Sequence, residues 1–215
     1  MNVIEKRYQH ILAWFETNNP LAATELIYKT PYELIVAVVL SAQCTDKRVN
    51  MITPAFFEKF PDINFLACSE VSDVFEVIKS CSYPNNKSKH LVGLAKMVVE
   101  KFNGIIPEDI ESLQQLPGVG RKTANVMVSV LYDQPAMAVD THVFRVSARL
   151  GLTINAKTPL ETEKQLVKYI PQHLIAQAHH WLILHGRYVC KARKPLCAEC
   201  GLTEYCVYFQ KSIHI

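Results

Sequence analysis

Glycine is unusually scarce in this chain. Seven glycines occur among 215 residues, and none precedes Gly93, whereas average usage would place roughly 15 in a chain of this length. Because the tight turns of β-hairpins depend on glycine, this scarcity disfavours an all-β fold. No alternating segment long enough for a confident strand occurs, while helix signals recur throughout. We therefore predict an all-α protein.

Two segments carry the same helix-start signal. Residues 30–33 (Thr-Pro-Tyr-Glu) and 158–161 (Thr-Pro-Leu-Glu) each supply an N-cap threonine, a proline at the first helical position and a glutamate three residues after the cap. A helix is expected after each. An N-terminal helix is predicted by one shared apolar face, formed by Ile4, Tyr8, Ile11, Leu12 and Phe15.

Other signals predict where helices stop. Asn86 is the expected cap of a helix that ends near Phe102, before Asn103 and a glycine, and another helix is expected to end at Leu150. Pro54 predicts a short helix or a bend in the segment that follows residue 45.

Composition excludes several classes of protein. Residues 1–17 are charged from Glu5 onward and lack the apolar stretch of a secretory leader. The chain also has seven cysteines, an odd number. Reduced thiols or metal ligands are therefore expected rather than disulfides. The longest apolar run, 34–40, is too short for a membrane span, so we expect a cytoplasmic protein with no membrane partner. The net charge of +3 is too small to identify a nucleic-acid partner by itself.

Two of the seven glycines lie together in residues 116–123 (Leu-Pro-Gly-Val-Gly-Arg-Lys-Thr), between helical stretches at 108–115 and 122–132. A turn of this kind exposes backbone N–H groups at a helix start, where an anion such as a phosphate is stabilised. An ordinary turn between two core helices explains the residues about equally well. Arg121 and Lys122 at the turn favour the phosphate site.

Four cysteines lie near the C-terminus, with six, two and five residues between them. Four thiolates in a loop-rich segment can enclose a zinc ion or an iron–sulfur cluster, and the spacing favours the cluster only modestly. The loop after the first of them carries three cations that can meet phosphates or simply be solvated. The four cysteines are Cys190, Cys197, Cys200 and Cys206, and the three cations are Lys191, Arg193 and Lys194. The remaining cysteines, Cys44, Cys68 and Cys81, are expected to be buried.

Several of these segments together resemble one family. Residues 116–125 followed by 139–145 (Val-Asp-Thr-His-Val-Phe-Arg) resemble the hairpin and catalytic aspartate of the endonuclease III family of helix-hairpin-helix DNA glycosylases and apurinic/apyrimidinic lyases. The resemblance continues through 40–46 (Leu-Ser-Ala-Gln-Cys-Thr-Asp), 180–187 and the terminal cysteines, and so covers nearly the whole chain.

The resemblance implies a catalytic pair. Lys122 matches the lysine that attacks C1′ of a flipped-out nucleotide, forming a Schiff base that permits β-elimination and strand cleavage 3′ to the abasic site. Its position beside Arg121 at the positive end of a helix disfavours the ammonium form. Asp140 matches the carboxylate that stabilises the oxocarbenium charge and assists proton transfer. From the residues alone Asp140 is an N-cap, and both roles can coexist.

The resemblance also implies a wedge. Gln43 matches the residue that fills the space left by the flipped base and hydrogen-bonds its orphaned partner. On the opposite side the family usually has a glycine and an apolar residue, where this chain has Ser82 and Tyr83. The expected DNA contacts are Gln43, Tyr83, Gly118, Val119, Gly120, Arg121, His142, Lys191, Arg193 and Lys194.

For the molecule as a whole, the resemblance implies base-excision repair of oxidised pyrimidines in double-stranded DNA, with a [4Fe-4S] cluster on the four terminal cysteines. The expected partner is duplex DNA with a damaged pyrimidine or an abasic site, and the protein is expected to be a monomer, near the nucleoid if bacterial. The expected domains are a six-helix domain at 23–134, with its hairpin at about 108–132, and a cluster domain at 1–22 plus 135–215. Lys122 and Asp140 are expected to face a cleft between them.

Two alternatives compete with this interpretation. An adenine-mismatch glycosylase would lack the lysine, carry an acid in the helix before the wedge and have a further C-terminal domain. This chain has Lys122, has no acid at 35–40 and stops nine residues after Cys206. A non-catalytic helix-hairpin-helix or redox-sensing DNA-binding protein would leave Lys122 and Asp140 without a chemical role.

Overall fold

The structure is a computed structural model that describes residues 2–213. Within that range it consists of helices and loops without a strand, so the all-α prediction is confirmed. The α-helices are α1 (Val3–Asn18), α2 (Pro31–Ser41), α3 (Asp46–Lys59), α4 (Ile63–Ala67), α5 (Val71–Ile78), α6 (Pro84–Phe102), α7 (Ile110–Leu113), α8 (Arg121–Tyr132), α9 (Thr141–Leu150), α10 (Pro159–Tyr169), α11 (Ile175–Tyr188) and α12 (Val207–Ile213). Short 3₁₀ turns lie at Gln172–Leu174, Cys197–Glu199 and Thr203–Tyr205.

The chain divides into two compact units. The central unit is Glu25–Tyr132, and the terminal unit joins the described residues before Glu25 to those after Tyr132. No helix in the described part of the chain is both long and apolar enough to cross a membrane.

Helix α2 forms the centre of the central unit. All of its residues from Leu34 to Leu40 are buried, and α3, α6 and α8 pack against it. A helix that is apolar on every face requires such enclosure, because no side can remain in water without exposing hydrocarbon. The loops at the two ends of α2 are therefore held on a rigid element.

The terminal unit has a core built mainly from α1, α9 and α11. Phe15 stacks on Trp181 with ring centroids 5.6 Å apart, and both side chains are almost fully buried. The Tyr8 hydroxyl donates to the carbonyl of Leu152 at 2.7 Å, which satisfies its polar end within the core.

The two predicted caps are confirmed and share one geometry. Thr30 Oγ1 accepts the backbone N–H of Glu33 at 3.2 Å, and Thr158 Oγ1 accepts that of Glu161 at the same distance. The predicted helix ends are also confirmed, at Phe102 and at Leu150, each followed by a residue with positive φ.

The short helix predicted around Pro54 and the predicted start of a helix after Asn86 are wrong, while a bend at Pro54 stays a prediction. α3 continues through Pro54. The proline removes one backbone hydrogen bond of the helix, but the burial of the Ile52 and Phe56 side chains on either side of it outweighs that loss. α6 begins at Pro84 rather than after Asn86, because a proline fits the first helical position without losing a hydrogen bond.

Candidate functional site

The glycine turn joins α7 to α8 in the central unit, and the helix before it is shorter than the predicted 108–115. Leu116 and Val119 bury their side chains and anchor the turn, so Val119 can offer a ligand only its backbone. Gly118 has φ +79°, and a Cβ there would lie 2.8 Å from the Cβ of His90. The turn therefore requires glycine at 118 for both conformation and space.

Gly120 differs from Gly118, because a Cβ at Gly120 would lie more than 4 Å from every described residue other than its two chain neighbours. Its carbonyl accepts the N–H of Ala124 at 3.0 Å, and α8 begins at the next residue. Arg121 and Lys122 are both exposed on the first turn of this helix. The start of α8 thus combines open space, backbone donors and two cations, which is the arrangement that suits an oxyanion.

Asp140 lies in the terminal unit and caps α9. Its Oδ1 atom accepts the backbone N–H groups of His142 and Val143, each at 2.8 Å. The predicted capping role is confirmed. Because both hydrogen bonds described for this half-buried carboxylate use Oδ1, the Oδ2 atom makes none with the described residues.

His142 follows on the first turn of α9. Its Nδ1 lies 3.2 Å from Nη2 of Arg145, and since guanidinium only donates, Nδ1 must be the acceptor and Nε2 carries the proton. Arg145 also donates to the carbonyls of Gly186 at 2.9 Å and Cys190 at 3.2 Å. Sequence reasoning missed Arg145, which ties the start of α9 to α11 and to the first terminal cysteine.

The two predicted wedge residues lie in neighbouring loops of the central unit. Both are exposed and both have left-handed backbones, Gln43 with φ 53° and Tyr83 with φ 54°. The hydroxyl of Ser82 donates to the carbonyl of Gln43 at 2.7 Å. The serine that replaces the family's glycine therefore joins the two loops.

Lys87 was not predicted as a site residue. It is 5% exposed, and its Nζ donates to the carbonyls of Leu40 and Ala42, each at 2.7 Å. Nζ also lies 3.2 Å from Cys81 Sγ, whose pKa is raised by burial, so the thiol remains neutral and accepts. A lysine in a polar stretch gives no sequence signal for burial, and the two carbonyls that it binds lie more than 40 residues away.

The four terminal cysteines line one largely apolar recess of about 310 Å³, part of it open to solvent. None of the four forms a disulfide with a described residue, and burial is the main cause of the raised pKa values of Cys200 and Cys206. Four thiols around a recess fit the ligand set of an iron–sulfur cluster. Between residues 2 and 213, no three His, Cys, Asp or Glu side chains are grouped so that they could hold a single metal ion.

Two further side chains support the recess. His185 places Nε2 3.7 Å from Cys200 Sγ, and burial lowers the pKa of this histidine to about 4, so it is neutral at pH 7. Arg149 donates to the carbonyls of Lys191 at 2.7 Å and Ala192 at 3.1 Å, and its Nη1 lies 3.5 Å from Cys190 Sγ. Arg149 was not predicted as a site residue.

Arg149 thereby holds the loop that carries the predicted cations. Lys191, Arg193 and Lys194 are all exposed, and Lys194 has φ 51°. The loop presents three positive charges to solvent from a backbone fixed at its first two residues.

Of the three other cysteines, Cys81 is buried as predicted, and Cys44 is half-buried. The prediction is wrong for Cys68, which is exposed. It caps the C-terminus of the five-residue helix α4, where Leu66 and Ala67 face the core and the next residue turns outward.

Comparison with known proteins identifies the family. Residues 36–172 match the model of the HhH-GPD superfamily base excision DNA repair proteins, and residues 190–206 match the iron-sulfur binding domain of endonuclease III. The second match contains all four cysteines of the recess. The [4Fe-4S] cofactor is therefore confirmed over zinc.

Individual relatives and solved structures support the same family. An endonuclease III of Rickettsia felis is 46% identical over 199 residues, which are 93% of this chain and 93% of the relative. A solved structure of a trapped endonuclease III–DNA covalent intermediate has a TM-score of 0.93 at 41% identity, covering 99% of this chain and 100% of that one. A non-covalent endonuclease III–DNA complex has the same TM-score at 40% identity and covers both chains fully.

Proposed function

This chain belongs to the endonuclease III family of bifunctional DNA glycosylases and lyases, and we propose that it removes oxidised pyrimidines from duplex DNA with Lys122 as nucleophile. The observation that carries the proposal is the start of α8, where an exposed lysine adjoins an open glycine turn. Phosphate at the turn would hold the strand while the amine reaches the sugar.

The proposed reaction begins with the neutral amine of Lys122. Its lone pair forms a bond to C1′ while the N-glycosidic bond breaks, and the base leaves with those electrons and takes up a proton. Opening of the sugar ring gives a Schiff base between Nζ and C1′. Loss of a proton from C2′ then expels the 3′ phosphate by β-elimination, and water releases the lysine.

Asp140 is the proposed carboxylate of this reaction. Its Oδ1 is engaged by two N–H groups of α9, and Oδ2 is the atom that we assign to the substrate. A carboxylate held in this way would stabilise positive charge developing at C1′ and would move protons at the lysine. His142 is the neighbouring proposed DNA contact.

Duplex recognition is assigned to three surfaces. The turn Gly118–Gly120 with Arg121 would bind phosphate through backbone donors, while Val119 anchors it. Gln43 and Tyr83 would enter the duplex from the neighbouring loops after the base has flipped. Lys191, Arg193 and Lys194 would bind further phosphates by charge.

Cys190, Cys197, Cys200 and Cys206 are the proposed ligands of the [4Fe-4S] cluster. When bound, the cluster cross-links the loop-rich end of the chain through iron–thiolate bonds. The thiols must lose their protons to bind iron, and the Arg149 guanidinium places Nη1 3.5 Å from Cys190 Sγ.

For the whole molecule we propose a monomer of the cytoplasm that acts at the nucleoid if bacterial, on duplex DNA with oxidised pyrimidines or abasic sites. We propose the domain boundaries 23–134 for the hairpin domain and 1–22 with 135–215 for the cluster domain.

The proposal is tested with an end-labelled duplex that contains a single thymine glycol. The protein should release the base and cleave the strand, leaving a 3′ unsaturated aldehyde at the lesion. Release of the base without cleavage would exclude the lyase step, and binding with neither product would favour a non-catalytic DNA-binding protein.

A further inference from the structure

The buried lysine of the central unit has an unusual set of partners. Lys87 lies on the first turn of α6, and its Nζ donates to the carbonyls of Leu40 and Ala42 and lies 3.3 Å from Ser82 Oγ. No carboxylate among residues 2–213 forms an ion pair with it. A buried ammonium therefore has carbonyl, thiol and hydroxyl partners in place of a counter-charge, an arrangement that needs well-placed dipoles.

Those dipoles come from the end of α2. The last carbonyls of a helix have no partner within it and lie at the negative end of its dipole, so a cation is stabilised there. Lys87, which belongs to α6, donates hydrogen bonds to the carbonyls of Leu40 and Ala42 at this end of α2. It thus joins the end of one helix to the start of another.

The loops that follow and precede these helices carry the two proposed wedge residues. Lys87 contacts Ser82, and the Ser82 hydroxyl donates to the carbonyl of Gln43 at 2.7 Å. Gln43 and Tyr83 both hold positive φ angles, which non-glycine residues keep only when their surroundings impose them. The path from Nζ through the hydroxyl to the Gln43 carbonyl supplies such a constraint.

We infer that Lys87, acting through Ser82, is a positioning residue that fixes the separation of Gln43 and Tyr83 so that both enter the duplex together. The inference rests on the proposed function, since it concerns how the wedge is held. Lys87 itself touches no DNA in this account. Its loss would leave two loops that insert independently, and opposite-base recognition through Gln43 would weaken.

The experiment uses the holoprotein and three variants. Lys87→Met removes the ammonium, Ser82→Ala removes only the hydroxyl link and serves if Lys87→Met does not fold, and Lys89→Met is the matched control on the same helix. Lys89 is exposed, so its loss removes the same charge without altering the loops. Thermal melting is recorded for all of them.

Two readouts separate positioning from general stability. The first is single-turnover cleavage of a thymine-glycol duplex against that of a single strand with an abasic site. The second is fluorescence of 2-aminopurine placed opposite a tetrahydrofuran abasic analogue, which reports insertion of the wedge without any chemistry.

Lys87→Met and Ser82→Ala should each slow duplex cleavage by about tenfold or more, reduce the fluorescence change and leave single-strand cleavage within about twofold of wild type. Equal losses on both substrates, or an unchanged fluorescence response in both variants, would overturn the inference. If the wild type cleaves nothing, the proposed function fails, while the fluorescence readout still decides the positioning role.

Discussion

Oδ1 of Asp140 lies 2.8 Å from the backbone nitrogen of Val143, so the proposed catalytic carboxylate also caps α9. The two roles separate by substitution, because asparagine caps a helix about as well as aspartate but carries no charge. Asp140→Asn should keep the free energy of unfolding within about 1 kcal/mol of wild type and slow base excision by about 10² to 10⁴.

Urea unfolding and single-turnover excision measure the two effects on the same preparation. Asp140→Ala is the comparison, since it should lose the charge and also about 1 kcal/mol of capping. Wild-type excision by the asparagine variant would remove Asp140 from the chemistry.

The two glycines of the hairpin should respond differently to a methyl group. Gly118→Ala meets both a positive φ and the Cβ of His90, so it should destabilise the fold by about 1 kcal/mol or more. Apart from its two chain neighbours, no described residue has an atom within 4 Å of the methyl group of Gly120→Ala, so stability should be nearly unchanged while duplex affinity falls roughly tenfold, about 1.4 kcal/mol.

Thermal melting and fluorescence anisotropy with a labelled duplex check this pair. A Gly120→Ala variant that binds like wild type would show that no phosphate approaches this position.

The cation loop makes a prediction about salt. Each lysine or arginine that contacts a phosphate adds about one to the slope of log affinity against log salt. Lys191→Ala and Arg193→Ala should each lower that slope by about one. Lys59→Ala is the control, because Lys59 is engaged with Asp73 at 3.2 Å, and its slope should equal that of wild type. Unchanged slopes in the loop variants would indicate a loop that is only solvated.

Local chemistry determined what could be predicted from the sequence. Thr30 and Thr158 cap helices because every atom involved lies within four residues, and Asp140 was identified as a cap for the same reason. Lys87 could not be found in this way, since its burial depends on carbonyls 45 and 47 residues away. Cys68 was misassigned because apolar neighbours indicate a buried segment but not which side chain turns outward at its end.

The proposed catalytic roles came from the resemblance and not from the residue types. An exposed lysine and a capping aspartate are common, and neither predicts a nucleophile or a catalytic acid by itself. The supporting residues Arg145 and Arg149 were missed because the carbonyls of Gly186 and Lys191 that they bind lie more than 40 residues away, so no spacing pattern in the sequence indicates these contacts.

A half-buried histidine should make stability depend on pH. Burial lowers the pKa of His180 to about 4 in the folded protein, against about 6.5 when unfolded. The unfolded chain therefore binds a proton first as the pH falls, and stability is lost between about pH 6.5 and pH 4. At pH 5 this loss is on the order of 2 kcal/mol.

Urea unfolding of the holoprotein at pH 7.5 and pH 5 measures the effect. His180→Phe, which cannot titrate, should show a smaller loss between the two pH values by about that amount. An identical loss in the variant would assign the pH dependence to other groups.

The central claim is that Lys122 forms a covalent bond with DNA. Borohydride reduces a Schiff base to a stable amine, so incubation with a duplex containing an oxidised pyrimidine should yield one cross-linked species, separable by denaturing electrophoresis. Lys122→Ala should still bind the duplex but give no adduct, while Arg121→Ala, which removes the neighbouring charge, should still give it. An undiminished adduct in Lys122→Ala would contradict the account.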